Sequence, residues 1–127
     1  VNNFTLWNLS RAFVFGLIGF GSASSLAKQP GELLYEKCIA CHSFGYNRTG
    51  PNHCDLIGRV AGTADDFIYT QAMRSSKIVW TVENLDLFLA APLEIVPGTS
   101  MGFIADADQR SLLIAYIQTQ RDSEDCN

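Results

Sequence analysis

Positive charge is scarce in this chain: nine Lys and Arg stand against 13 Asp and Glu, for a net charge of −4. Nucleic-acid phosphates need clustered basic side chains, so that class of partner is excluded. Alternating apolar and polar runs are also missing, so no strand pair is expected, and neither an internal repeat nor a low-complexity segment is present. Charged residues amount to only 17%, and hydrophobic residues at 47% supply enough apolar surface for a packed globule, which excludes a disordered chain. A long apolar run is lacking as well. The most apolar stretch, AFVFGLIGFG at 12–21, has about half of the roughly 20 residues that span a bilayer.

The flanks of that run give it a meaning. Arg11 is the sole charge before Lys28, and the small-residue stretch SASSLA ends at Ala27. A positive residue, a short apolar run and small residues around Ser25 and Ala27 read as an export signal. Extending from Phe4 to Ala27 reaches spanning length only by including Asn8 and Arg11, so an uncleaved anchor is the second reading and a buried core helix the third. The expected division is an export signal or N-terminal anchor at 1–27, with membrane contact through residues 4–27, and one domain at 28–127. Both main readings carry the domain across a membrane, where disulfides persist. Cys54 and Cys126 are then a pair, separate thiols or part of an intermolecular bond, since bridging requires Cα atoms within about 7 Å, which sequence does not reveal.

Along 28–127 the signals are helical and short. PGELLYEKC (30–38) predicts a helix leading into residue 38, and the stretch 42–63, with Gly45, Gly50, Gly58, Gly62 and Pro51, reads as loop. A short helix is expected at 64–76, begun by Asp65 and Asp66. A clearer one is expected at 81–92, with Thr81 as N-cap, Val82, Leu85 and Leu89 on one face, Phe88 alongside and Pro92 at its end. LEIVPGTSMGF follows as loop. The best-signalled helix lies at 106–121, where Leu112, Leu113, Tyr116 and Ile117 form an apolar stripe and Asp106 and Asp108 sit at its start. A few short helices joined by long loops leave too little mutual contact for an ordinary core. A large flat apolar cofactor at the centre solves that problem.

CIACH at 38–42 supplies a means of holding one. Two thiols at this spacing can add across the two vinyl groups of haem, and the adjacent histidine then lies under the iron. A thioredoxin-like dithiol would need a βαβ context that the pattern lacks. Zinc held by Cys38, Cys41, His53 and Cys54 would need convergence from two adjacent ligands, and a Cys–His nucleophile remains compatible with spacing alone. For the other face of the iron the chain offers Met73, which reads as a core side chain, His53, which lies in a polar loop, and Met101. Met101 follows a loop stiffened by Pro97 and Gly98, and is the choice.

Taken in order, CIACH, TGPNHCDLIGR, FIYTQA, Trp80, ENLDLFLAAP, VPGTSMGF and RSLLIAYI resemble mitochondrial cytochrome c and its small soluble bacterial relatives, the class I c-type cytochromes. The likeness runs from about Gly31 to Ile117, without a gap from Gly62 through Met101. It implies an all-α cytochrome c fold of four to five short helices and long loops wrapped around one covalently bound haem c. It further implies thioethers at Cys38 and Cys41, axial ligation by His42 and Met101, and a hydrogen bond from His42 to the Pro51 carbonyl. Arg59, Tyr69 and Trp80 match residues at the haem propionates, Thr99 a hydroxyl in the methionine loop and Phe103 an aromatic at the haem edge. Gly31 and Tyr116 match the crossing of the first and last helices.

Departures accompany the likeness. The loop from His42 to Gly50 is shorter than the mitochondrial one, and Tyr35 stands one residue closer to Cys38. Phe88 replaces a tyrosine that bonds the methionine sulfur, Met73 a polar residue of the same network, and Cys54 a histidine. Leu93, Glu94 and Ser100 replace lysines that ring the haem edge. With both axial positions filled, the expected role is single-electron transfer and not enzymatic catalysis. The expected setting is the bacterial periplasm, as a monomer that is soluble after cleavage or tethered by its N-terminus. The expected partners are a cytochrome bc-type donor and an oxidase or reaction-centre acceptor. A membrane-anchored haem c subunit of a larger electron-transfer complex is the alternative.

Overall fold

The computed structural model describes residues 27–126, so the segment expected to serve as signal or anchor lies, Ala27 apart, outside the described residues. Five α-helices follow: α1 (Pro30–Tyr35), α2 (Gln71–Ser76), α3 (Val82–Ala90), α4 (Pro92–Ile95) and α5 (Ala107–Thr119), with a 3₁₀ turn at Glu124–Cys126. Among the described residues the one β-type pairing is an isolated bridge between Val60 and Val79. The all-α expectation holds.

Each helix starts where local chemistry permits. Pro30 opens α1, where its missing N–H costs nothing. Thr81 caps α3 by accepting from the Asn84 N–H at 3.1 Å, and Asp106 caps α5 by accepting from the Gln109 N–H at 2.9 Å. The onset of α2 differs from expectation. Residues 64–70 are loop, and the helix begins after Thr70, whose hydroxyl accepts from the Met73 N–H at 3.2 Å. Asp66 takes a left-handed φ of +54°, which a short polar side chain tolerates but a helix does not. Pro92 does not merely end α3: it opens α4 within a stretch expected to be loop, again as an N-terminal proline.

α1 crosses α5, and α3 packs on α5 and α4. Gly31 makes the first crossing possible. A Cβ there would press on the Leu112 carbonyl and come within 2.7 Å of Tyr116 Cβ, so the Gly31–Tyr116 contact implied by the resemblance is present. Leu113, Ile114 and Ile117 are buried on α5, whereas Leu112 is exposed. The helix serves α1 and α3 at once, which rotates its buried arc from Leu112 towards Ile114. On α3 the buried set is Leu85, Phe88 and Leu89, with Val82 left at the surface, and Arg110 on α5 holds Asp86 of α3 at 2.7 Å.

Cys54 and Cys126 are joined, their Cα atoms 5.4 Å apart. The bond ties the 3₁₀ turn after α5 to the loop behind residue 42. It closes a segment of 72 residues, for which chain entropy alone gives a stabilisation of about 4 kcal/mol, with measured values typically about 2–4. Replacing both cysteines by serine is therefore expected to lower the unfolding free energy by about 2–4 kcal/mol. A denaturant titration with an unchanged midpoint would refute that role.

Candidate functional site

Cys38, Cys41 and His42 sit on one helical turn beyond α1. The Cys38 N–H donates to Tyr35 O at 2.8 Å, and the Cys38 carbonyl accepts from both Cys41 N–H at 3.0 Å and His42 N–H at 2.8 Å. Residues three and four apart on such a turn share a face, so both sulfurs and the imidazole project together. Neither Cys38 nor Cys41 is engaged in a disulfide, so both sulfurs are available for attachment.

The His42 imidazole is held from several sides. Its Nδ1–H donates to the Pro51 carbonyl at 2.7 Å, which leaves Nε2 with a free lone pair. Burial lowers its pKa, so the ring is neutral near pH 7. Pro51 is fixed by its neighbours: Gly50 N–H donates to Cys41 O at 2.6 Å, Asn52 N–H to Asn47 Oδ1 at 2.9 Å, and His53 N–H to Ser43 O at 2.8 Å. Gly50 lies against the imidazole itself; a Cβ there would collide with Cε1 and stand 2.7 Å from Nδ1 and 2.9 Å from Nε2.

Met101 reaches the same space by a different device. Thr99 N–H donates to Val96 O at 3.0 Å across Pro97 and Gly98, and Gly98 has φ +93°. Proline then glycine at positive φ is the signature of a type II turn. The buried Thr99 hydroxyl accepts from the Met101 N–H at 3.2 Å, fixing the backbone that carries the thioether.

Both sets open onto one cavity of about 370 Å³, lined also by Pro51, Arg59, Tyr69, Trp80 and Phe103. All ten residues expected at the site therefore line a single space. Its apolar walls include Leu56, Phe88, Leu89, Leu113 and Ile117. At about 24 cal/mol per Å³, closing a core around that volume without contents would cost about 9 kcal/mol, comparable to the whole stability of a small domain. Two thiols on one turn, an imidazole with one nitrogen committed and one free, a thioether and apolar walls fit a haem bound through both sulfurs and both axial positions.

The supporting residues have partners of their own. Arg59 donates to Asn52 O at 2.8 Å and Cys54 O at 2.9 Å, which braces the loop carrying Pro51. The Tyr69 hydroxyl accepts from Ala64 N–H at 3.3 Å. Trp80 is buried and tilts against Phe88, with ring centroids 4.9 Å apart. Met73 is buried as expected, yet it also lines the cavity. His53 lies in the loop as expected, but half-buried: burial drives its pKa well down, and its ring stacks on His42. Zinc held through Cys54 is ruled out because that sulfur is bonded to Cys126.

No family model matches the chain. It is 37% identical to cytochrome c2 of Blastochloris viridis over 119 residues, covering 85% of this chain and 92% of that protein. The class I c-type cytochromes are its family. This cytochrome is also 40% identical to the c-type cytochrome cy of Rhodobacter capsulatus over 73% of its own length, and the match spans 48% of that relative. Cytochrome cH from Methylobacterium extorquens superposes with a TM-score of 0.67 at 35% identity, over 70% of this chain and 94% of the other. The cytochrome accordingly carries one covalently attached haem c and is an electron carrier, not an enzyme.

Gly50→Ala is expected to push the His42 ring off the Pro51 carbonyl, at about 1–3 kcal/mol of stability. Thermal unfolding, with the His42 ring-proton resonance as reporter of the hydrogen bond, measures both effects. An intact Pro51 bond in a fully stable variant would refute the contact.

Proposed function

We propose that Cys38 and Cys41 form the thioethers to haem, that His42 Nε2 and the Met101 sulfur are its axial ligands, and that the protein shuttles single electrons between respiratory or photosynthetic complexes. The observation that carries this reading is the convergence of these four side chains on one cavity, with His42 Nδ1 already committed to Pro51. When bound, the group supplies a one-electron iron couple. The protein's residues set how that couple behaves. Pro51 fixes one point of the imidazole and raises its basicity, Thr99 fixes the methionine loop, and the apolar walls exclude water. Arg59, Tyr69 and Trp80 are the residues proposed to face the propionates, and Phe103 lies at the exposed edge.

We further propose a cytochrome bc-type donor and an oxidase or reaction-centre acceptor as partners. Export to the bacterial periplasm is supported by the Cys54–Cys126 disulfide, which an oxidising compartment preserves. Among the described residues no helix is long and apolar enough to cross a membrane; residues 1–27 are proposed as the export signal or anchor. Docking at the cavity mouth is proposed to be mainly apolar. Ile39 lies between the two thiols, Ile68 on the cavity wall and Ile104 beside Phe103, all three exposed. The charged residues lining the cavity are Lys37 and Arg59, and Arg59 is engaged with backbone carbonyls.

Intact mass and a visible spectrum test the site: the mass should rise by one haem, and ferric protein should show the weak near-infrared band of Met–iron ligation. Met101→Ala should keep the covalent haem, lose that band and change the potential by on the order of a few hundred mV, within the roughly 0.8 V that axial ligands govern. Absence of covalent haem in the native protein would sink the assignment. For docking, the rate of electron transfer to a partner is expected to vary less than about threefold with ionic strength, against the roughly 10–10³-fold effects of electrostatic steering. A steep fall with salt would overturn the apolar contact.

A further inference from the structure

The family resemblance implies no role for His53, yet it is the group laid against the proximal histidine. The two imidazoles are stacked, 4.1 Å between centroids and 25° between planes. On its other side the His53 Nδ1 is paired with the Tyr35 hydroxyl at 3.0 Å. Tyr35 is itself buried, stacked on Phe44 at 4.8 Å and tilted against Tyr116 at 5.4 Å. His53 N–H donates to Ser43 O at 2.8 Å, so both the backbone and the ring of His53 are fixed.

That arrangement supplies what the Pro51 hydrogen bond lacks. A single bond at Nδ1 fixes one point of the His42 ring and leaves it free to swing about the line through that bond. A second ring laid flat on its face removes the swing. The stack also sets a polar, polarisable group against the ligand where an aliphatic side chain would give a lower local dielectric, and a polar surrounding favours the more highly charged oxidation state of a buried iron. Tyr35 anchors this partner to α1 and, through Tyr116, to α5.

We propose that His53 is a positioning residue for the axial histidine, setting the plane of the His42 ring and, through the polarity it adds, holding the reduction potential down. This rests on the assignment of His42 as iron ligand. The test uses the holoprotein with His53→Leu, which keeps bulk but removes ring and polarity, and His53→Phe, which keeps a ring without polarity. Each is measured by electron paramagnetic resonance of the ferric state and by redox titration.

The expected results are a broadened or doubled low-spin signal in His53→Leu, a single sharp signal restored in His53→Phe, and a raised potential in both. His53→Leu with a native signal and native potential would overturn the inference, even if its thermal midpoint fell, because lost packing alone would explain that fall. A native protein without low-spin haem would instead overturn the ligand assignment and this inference together.

Discussion

The fold depends on one constraint: its helices must close around a cavity of about 370 Å³ lined by apolar side chains. α1 and α2 have six residues each and α4 has four, well below the roughly 12–15 at which an isolated helix becomes even marginal in water. None can stand by its own backbone bonding. α1 is held on α5 and α4 on α3, while the cavity wall joins Met73 of α2, Leu85 and Leu89 of α3, and Leu113 and Ile117 of α5. The haem of this cytochrome is thus a packing element as much as a redox centre, and folding and function draw on the same contacts.

The two sides of the cavity differ in chemistry. Around His42 the wall is polar and heavily bonded, with the Pro51 carbonyl, the His53 ring and an Arg59 guanidinium committed to the carbonyls of Asn52 and Cys54. Elsewhere it is apolar, with the buried Met73 and Phe88 in the lining, and the Thr99 hydroxyl is engaged with the Met101 amide. The histidine is placed by hydrogen bonds, whereas the thioether is placed by a turn and by shape. This division matches the two side chains: an imidazole has a second nitrogen through which it can be oriented, and a thioether has none.

The legible parts of the sequence were those governed by neighbours along the chain. The Cys38–Cys41–His42 turn, the Thr81 cap, the acidic start of α5 and the Pro97–Gly98 turn follow from spacings of a few residues, and the structure places them as read. The start of α2 was misjudged because an acidic pair and a threonine both suit a helix N-terminus, and only the backbone reveals that Asp66 is left-handed. Leu112 and Ile114 exchanged places because which arc of α5 is buried depends on helices distant in sequence. The Cys54–Cys126 pairing and the stacking of His53 on His42 share that cause. A polar residue beside glycine and proline reads as surface until α1 brings Tyr35 over it, and no local pattern carries that information.

The disulfide changes the covalent route between the two ends of the site. Along the backbone, the thiol-bearing turn reaches Met101 only through α2, α3 and α4. Through Cys54 and Cys126 a second route runs back along α5 and enters the methionine loop from the other side. Met101 is therefore tethered at both ends to the segment that carries His42. If the loop opens, the thioether cannot diffuse far from the cavity, and its return is a local search by a chain held at two points.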